Sequence, residues 1–271
     1  MAFPCIMATH SWTRIIGRVS FLNCYPLFHG LDETWKILPA PPSWLTGHLL
    51  RRDCVLAPIP AADYAKHSDE LVLIPDIGIC SRGEVGSVLL FSNKKIGDMK
   101  SIALPSDSAT SVALLKHLLE IRGLSPEFIV MGPDFDLMLE SCDGALLIGD
   151  RALESAKMNP SMVQLDLGQA WLEKSGKPMV FGVFAARKDT AQEMILAAHN
   201  ALESKLKLFE SSDEHRNAVI NWSISRSDLS YERLDKYFGE VFNRLDNDHL
   251  SGLDQFLIEA CNLPNGAQFC W

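Results

Sequence analysis

A turn rich in hydroxyl groups, 105–111, is the strongest candidate for ligand chemistry in this sequence. It follows a predicted strand and opens an amphipathic helix, so free backbone N–H groups and the positive end of the helix dipole meet there and favour an anion. Its side chains add four hydroxyl donors: Ser106, Ser108, Thr110 and Ser111. Helix capping also selects Ser and Thr at such a position, and the turn alone leaves both interpretations open.

Three other polar residues lie next to predicted strands. The turn from Ser20 to Asn23 ends the first strand, and the Asn amide can hold a hydroxyl or a carboxylate without adding charge, or cap the backbone. Ser87 opens a strand after a glycine, which directs its hydroxyl toward the same predicted cleft. Asp150 follows another strand, as a helix N-cap or as an acid/base group. We take Asn23, Ser87 and Asp150 as candidate catalytic residues, and Ser20 as a binding residue beside the 106–111 hydroxyls.

Several familiar site motifs are missing from the sequence. Neither GxGxxG nor GxxxxGK[ST] occurs, which favours a carboxylate ligand over a nucleotide triphosphate. Without GxSxG a hydrolase has little support, and without HExxH or CxxC we expect no protein-bound metal. The seven scattered cysteines are expected to be isolated buried thiols.

Composition narrows the class of partner. The net charge of −9 argues against nucleic acid, and 47% hydrophobic residues are typical of a globular chain. No apolar run reaches the roughly 18–20 residues of a membrane-spanning helix, so we expect no membrane partner. Residues 1–14 lack the pattern of a secretory signal and are expected to be a loose leader of a cytoplasmic protein. Nothing in the sequence indicates an oligomeric state.

Strands alternate with helices over most of the chain, which predicts an α/β fold with a largely parallel sheet. Strands are predicted over 15–19, 35–38, 54–57, 71–79, 87–92, 102–104, 128–131, 145–148 and 180–186. Ser43 is the expected N-cap of a helix over 44–51, and four helices fill the chain after residue 190. That tail should pack against the first lobe. We therefore predict a discontinuous lobe of residues 1–93 plus 187–271 and an inserted lobe of residues 94–186, with a hinged ligand cleft between them.

These turns together resemble one known family. The stretch GRVSFLNCYPL, residues 17–27, is similar to the opening motif of chorismate dehydratase, the enzyme of the futalosine route to menaquinone. The resemblance covers roughly residues 14–190, with a weaker helical tail. Further matching segments follow in order: DELVLIPDIGI, GEVGSVLLFS, SATSVALLKHLLE, GALLIGDRALE and DLGQAWLEKSGKPMVFGVFAAR.

The resemblance implies a two-lobed fold of the type II periplasmic-binding-protein class in a cytoplasmic enzyme. It also implies that chorismate loses water, without a cofactor, to give 3-[(1-carboxyvinyl)oxy]benzoate. By the family pattern Asn23 and Ser87 occupy the cleft, and Ser106, Thr110 and Ser111 hold the ligand carboxylate. A stepwise elimination fits these groups, with charge stabilised on the ring carboxylate. The base is then the substrate's own side-chain carboxylate or, as the protein alternative, Asp150.

One departure and two alternatives accompany the resemblance. Val55, Pro58 and Pro60 replace a more usual acidic-then-small pattern, so we expect a differently shaped end of the third strand. The sister enzyme that forms dihydroxynaphthoate shares the fold, but its usual opening and catalytic His have no match here. A non-catalytic binding protein for a small carboxylate is the other alternative, and it would normally carry a signal peptide.

Overall fold

The computed structural model describes residues 11–271; of the predicted leader, residues 1–10 lie outside this range and Ser11–Arg14 form one 3-10 turn. Within it, the strands are β1 (Ile15–Val19), β2 (Lys36–Ala40), β3 (Ala57–Pro60), β4 (Leu71–Ser81), β5 (Val88–Phe91), β6 (Ser101–Pro105), β7 (Glu127–Met131), β8 (Gly144–Ile148), β9 (Val163–Asp166), β10 (Met179–Arg187) and β11 (Phe242–Arg244). The α-helices are α1 (Tyr25–Phe28), α2 (Pro42–Leu50), α3 (Ala61–Lys66), α4 (Ala109–Ile121), α5 (Phe135–Ser141), α6 (Gly149–Met158), α7 (Leu167–Ser175), α8 (Gln192–Ser211), α9 (Asp213–Ile224), α10 (Tyr231–Glu240) and α11 (Asn247–Cys261).

The strands form two sheets, one in each lobe, and the predicted two-lobed α/β fold is confirmed. In the first lobe β1 pairs with β2, and a second set runs β11-β4-β10-β3. The two sets are joined just before β3, where Val55 N–H donates to Ile15 O at 2.9 Å and Gly17 N–H donates to Leu56 O at 2.8 Å. The sheet of the second lobe runs β7-β6-β8-β5-β9.

The two lobes repeat one strand order. In each sheet the second strand of the lobe lies outermost, next to the first and then the third, and an antiparallel strand follows: β10 in one lobe and β5 in the other. These two strands arrive directly from the other lobe and run against their neighbours. They account for four of the five antiparallel pairings among the described residues, and β11 with β4 gives the fifth. Only three pairings in this part of the chain are parallel, so the predicted largely parallel sheet is wrong.

The crossings between lobes lie elsewhere than the sequence suggests. Strand β5, which we predicted in the first lobe, pairs with β8 and β9 of the second. Strand β10, predicted in the second lobe, pairs with β3 and β4 of the first. The boundaries predicted at 93/94 and 186/187 therefore assign both strands to the wrong lobe. We propose crossings over 82–87 and 167–178 for the discontinuous and inserted lobes.

Several element boundaries also differ from prediction. Helix α2 begins at Pro42 with Pro41 as its N-cap, so Ser43 is not the cap. Strand β3 covers 57–60 instead of 54–57, because the third strand continues past its pairing with β1 and pairs with β10. Strand β9, helix α7 and the three-residue β11 were not predicted. Strand β9 is half-buried along its length, which leaves a weak hydrophobic pattern.

The C-terminal helices contact both lobes, and α11 touches α4 of the second lobe as well as the first lobe. Helix α8 contacts α1, and α11 contacts β10 and α3. Apolar residues of both lobes share one large buried cluster, and β5 and β8 add a smaller one with α5. No helix in the described part of the chain is long and apolar enough to cross a membrane.

Candidate active site

A cavity lies between the lobes, with about 540 Å³ of empty space when its opening to solvent is included. It is reached by the ends of β1 and β3 in the first lobe and of β8 in the second, together with the turn that follows β6. Ligands of open α/β sheets bind at such carboxyl ends. Most of the wall is apolar, and both lobes contribute to it through Val19, Phe21, Ile59, Val88, Ile148 and Phe181.

Five of the predicted site residues line this cavity: Asn23, Ser87, Ser108, Thr110 and Ser111. The fold therefore brings together groups that lie up to 88 positions apart in the sequence, the separation of Asn23 and Ser111 (111 − 23). The other three predicted residues lie outside the lining. Ser20 and Ser106 are exposed to solvent. Asp150 lies behind the wall.

Asn23 lies in a one-turn 3-10 helix, Leu22–Cys24, directly after β1. Its side chain is buried, and its amide oxygen has no hydrogen-bond partner among the described residues. An acceptor buried without a partner costs about 1–3 kcal/mol. Since the oxygen lies at a cavity wall, a ligand donor is the natural group to satisfy it.

Asp150 belongs to the second lobe and bonds to the backbone of the first lobe. It is the second residue of α6, whose N-cap is Ile148, so the capping interpretation of Asp150 is wrong. Both carboxylate oxygens accept from the backbone N–H of Leu22, at 3.0 and 3.3 Å. Burial raises the pKa of this carboxyl to about 6. The carboxylate thereby fixes the turn that carries Asn23.

Four helices begin at the cavity. The first residues or N-caps of α2, α3, α4 and α6 all belong to the lining: Pro42, Pro60, Ser108 and Gly149. None of these helices has a side-chain cap. The N-terminal end of a helix carries partial positive charge and unpaired N–H groups. Four helix dipoles therefore direct partial positive charge at the cavity without a cationic side chain, although the N–H groups of Ser43, Ala62 and Gly149 already bond to other residues.

Hydrogen bonds also join the lobes around the cavity. Besides the Asp150–Leu22 contact, Ser43 N–H donates to Asp107 O at 3.3 Å, and Ala62 N–H donates to Thr110 Oγ1 at 3.1 Å. Gly149 has φ +62, and a β-carbon there would lie 2.6 Å from the Phe21 ring. The structure is therefore closed, with each lobe in contact with the other at the rim of the cavity.

Part of the cavity wall was not predicted from the sequence. Pro58 and Pro60, noted only as a departure from the family pattern, line the cavity together with Pro42. Tyr237 of α10 reaches the site from the C-terminal tail, where its hydroxyl bonds to Ser87 Oγ at 3.1 Å. The proline pattern was the only signal; a contact across 150 positions leaves none in a single sequence.

The charged side chains near the site lie behind the residues that line the cavity. Among the described residues, none that lines the cavity has an ionisable side chain. Behind the wall, Arg151 Nη2 lies 2.6 Å from Asp107 Oδ2, and the Arg151 guanidinium is 5.4 Å from the centre of the Phe21 ring. Within residues 11–271, no group of three or more His, Cys, Asp or Glu side chains is placed to hold a metal ion.

Two solved structures share this architecture. A protein from Archaeoglobus fulgidus superposes with a TM-score of 0.72 at 20% identity, over 93% of this chain and 96% of that one. A Candida albicans protein with the generic periplasmic-binding-protein fold superposes with a TM-score of 0.65 at 14% identity, over 92% and 90%. At these identities the likeness concerns the fold alone, which is that of the periplasmic binding proteins.

Sequence comparison is more specific. The chain is 34% identical to a chorismate dehydratase of Thermus thermophilus over 191 residues, 65% of this chain and 70% of that one. It is 26% identical to a chorismate dehydratase of Campylobacter jejuni over 93% of this chain and 99% of that one. A family model described as menaquinone biosynthesis matches residues 15–261. The chain therefore belongs to the menaquinone biosynthesis family.

Proposed function

We propose that this protein is a chorismate dehydratase, a hydro-lyase that converts chorismate to 3-[(1-carboxyvinyl)oxy]benzoate in the futalosine route to menaquinone. The observation that carries the proposal is the interlobe cavity, where Asn23 and Ser87 meet four helix starts. The family places the chain among relatives with that activity. The six described cysteines are all free, which is typical of the cytoplasm and supports that location.

The ligand carries two carboxylates, and the cavity suits them without a cation. Backbone N–H groups at helix starts bind anions through hydrogen bonds and the helix dipole. At the start of α4, the hydroxyls of Ser108, Thr110 and Ser111 lie beside those N–H groups. We assign the ring carboxylate of chorismate to this corner.

That corner also holds the oxygens on which negative charge develops during the proposed reaction. Removal of the C3 proton of chorismate leaves a carbanion conjugated to the ring carboxylate, so negative charge grows on the carboxylate oxygens. Donors fixed at those oxygens stabilise the transition state more than the ground state. Loss of the C4 hydroxyl then completes the aromatic ring, which drives the second step.

The base in this proposal is the side-chain carboxylate of the substrate. No ionisable side chain lines the cavity in the described part of the chain, and Asp150 directs both oxygens at the Leu22 N–H. The substrate carboxylate takes the C3 proton and returns it to the departing C4 hydroxyl, which leaves as water. The Asn23 amide oxygen accepts from that hydroxyl, the one neutral O–H of chorismate, and so orients the leaving group.

Incubation of the purified protein with chorismate tests the function. We expect loss of the cyclohexadiene absorbance and an aromatic product lighter than chorismate by one water, with the enolpyruvyl group retained. Mass spectrometry and proton NMR identify that product. Tight binding of chorismate without any conversion would contradict the proposal and leave a binding protein as the function.

A further inference from the structure

Tyr237 lies behind the cavity and contacts one of its polar residues. It belongs to α10, in the C-terminal tail, and it is fully buried. Its hydroxyl donates to Ser87 Oγ at 3.1 Å, and Ser87 Oγ donates in turn to Val85 O at 3.3 Å. The longer second bond is the weaker one, so the Ser87 proton is the one that a ligand oxygen can attract.

Helix α10 is fixed against the turn that carries Ser87. Arg233, Tyr237 and Glu240 follow one another at helical spacing, and Arg233 Nη1 lies 2.9 Å from Glu240 Oε2. Gly86 has φ +64, and a β-carbon there would lie 2.4 Å from Glu240 Oε2. The side chains of Glu240 and Arg233 therefore lie against the Gly86–Ser87 turn.

The same turn is held from the second lobe. Asp166 Oδ2 accepts from the backbone N–H groups of Val85 and Gly86, at 3.1 and 2.8 Å. The bonds to Asp166 fix the backbone of this turn on one side, and α10 packs against it on the other. Rotation of the Ser87 side chain is then the main motion left to this hydroxyl. The Tyr237 hydroxyl acts on that rotation.

Burial keeps Tyr237 in the role of donor. Desolvation raises the pKa of its phenol, which stays protonated. When the phenol donates to Ser87 Oγ, it occupies a lone pair, and the Ser87 hydrogen can exchange its bond to Val85 O for one to a ligand oxygen in the cavity. Hydrogen bonds in such a chain polarise one another, so the Ser87 donor is also strengthened.

We propose that Tyr237 is a positioning residue that orients the Ser87 hydroxyl as a hydrogen-bond donor to the substrate. The inference rests on the proposed chorismate dehydratase function and extends its active site to α10. Tyr237 itself does not line the cavity, so its effect passes through Ser87.

Tyr237→Phe tests this with little change in volume. We expect kcat to fall by about threefold to tenfold, the cost of one hydrogen bond, with KM changed less than about twofold. Tyr231→Phe is the matched control, since Tyr231 lies on the same helix and its hydroxyl bonds to Asn217 at the surface. Wild-type kcat in a folded Tyr237→Phe protein would overturn the inference.

Two further measurements separate positioning from general support. In a Ser87→Ala background, Tyr237→Phe should cause no additional loss of kcat; an equal loss there would show that Tyr237 acts elsewhere. Crystal structures of the wild type and Tyr237→Phe should show Ser87 in one rotamer and in several, respectively. An unchanged single rotamer would overturn the inference. This structural comparison is decisive even if chorismate is not converted, an outcome that instead defeats the proposed function.

Discussion

Helices that begin at the cavity differ from most of those that begin elsewhere. At the cavity, α2, α3, α4 and α6 have no side-chain cap, although α4 has a serine at its N-cap. Away from it, five helices are capped by a side chain that accepts from the N–H three residues on: α5 (Asp134), α7 (Asp166), α9 (Ser212), α10 (Ser230) and α11 (Asp246). Helices α1, after Cys24, and α8, after Ala191, also lack a side-chain cap and do not begin in the cavity lining.

This difference separates two roles for polar groups at helix starts, which are ligand binding and helix capping. The first N–H groups of a helix have no partner within the helix and take one from a cap, water or a ligand. At Ser212 the side chain supplies that partner and stabilises the fold. Ser108 has a residue type suited to capping, yet its hydroxyl lines the cavity without capping. Polar groups at the cavity should thus matter to the ligand, and their counterparts elsewhere to stability.

Asn23→Ala gives the largest expected effect. We expect turnover to fall by about a hundredfold or more, since the leaving group loses its orientation. The free energy of unfolding should not fall, because the variant removes a buried acceptor that has no partner in the folded protein and costs about 1–3 kcal/mol. Steady-state kinetics and urea unfolding measure the two. Asn159→Ala, at the far end of α6, is the control and should keep wild-type turnover. A stability loss that matches the loss of turnover would contradict this role.

Ser108→Ala and Ser212→Ala compare the two kinds of helix start directly. We expect Ser108→Ala to raise KM by about tenfold with little change in unfolding, because it removes a ligand donor. Ser212→Ala should cost about 1 kcal/mol of stability and leave KM unchanged, because it removes a cap. If Ser108→Ala loses stability and retains KM, the distinction between the two helix starts fails.

Asp150→Asn has the smallest expected effect on turnover, within about threefold of wild type. An amide oxygen still accepts from Leu22 N–H, so the turn that carries Asn23 keeps its partner. A fall of several hundredfold would instead identify Asp150 as the base.

The pH dependence of stability gives Asp150 a second test. Burial raises the pKa of the folded carboxyl to about 6, while an unfolded Asp titrates near 3.9. Between these values the folded state binds more protons, so this residue's contribution to stability is present at low pH and is lost as pH rises through about 6. Asp150→Asn removes this residue's contribution to the pH dependence of the free energy of unfolding. The wild type should lose on the order of 1–3 kcal/mol relative to the variant between about pH 4 and pH 7. If wild type and Asp150→Asn differ in free energy of unfolding by the same amount at both pH values, this prediction is wrong.

The sequence predicted the fold better than the contacts at the site. Hydrophobic periodicity and the family motifs indicated two α/β lobes, and five of the eight predicted site residues line the cavity. Local patterns do not record pairing partners, which is why β5 and β10 were assigned to the wrong lobes. They also cannot show that Asp150 bonds to Leu22 across the cavity, or that Tyr237 reaches Ser87.

A crystal structure with bound 3-[(1-carboxyvinyl)oxy]benzoate would show where this cavity holds each carboxylate. We predict the ring carboxylate at the start of α4, within hydrogen-bond distance of the Ser108 and Ser111 hydroxyls and the adjacent backbone N–H groups, and C4 of the ring facing the Asn23 amide. A product whose carboxylate is held by an arginine, or which lies outside this cavity, would contradict the account.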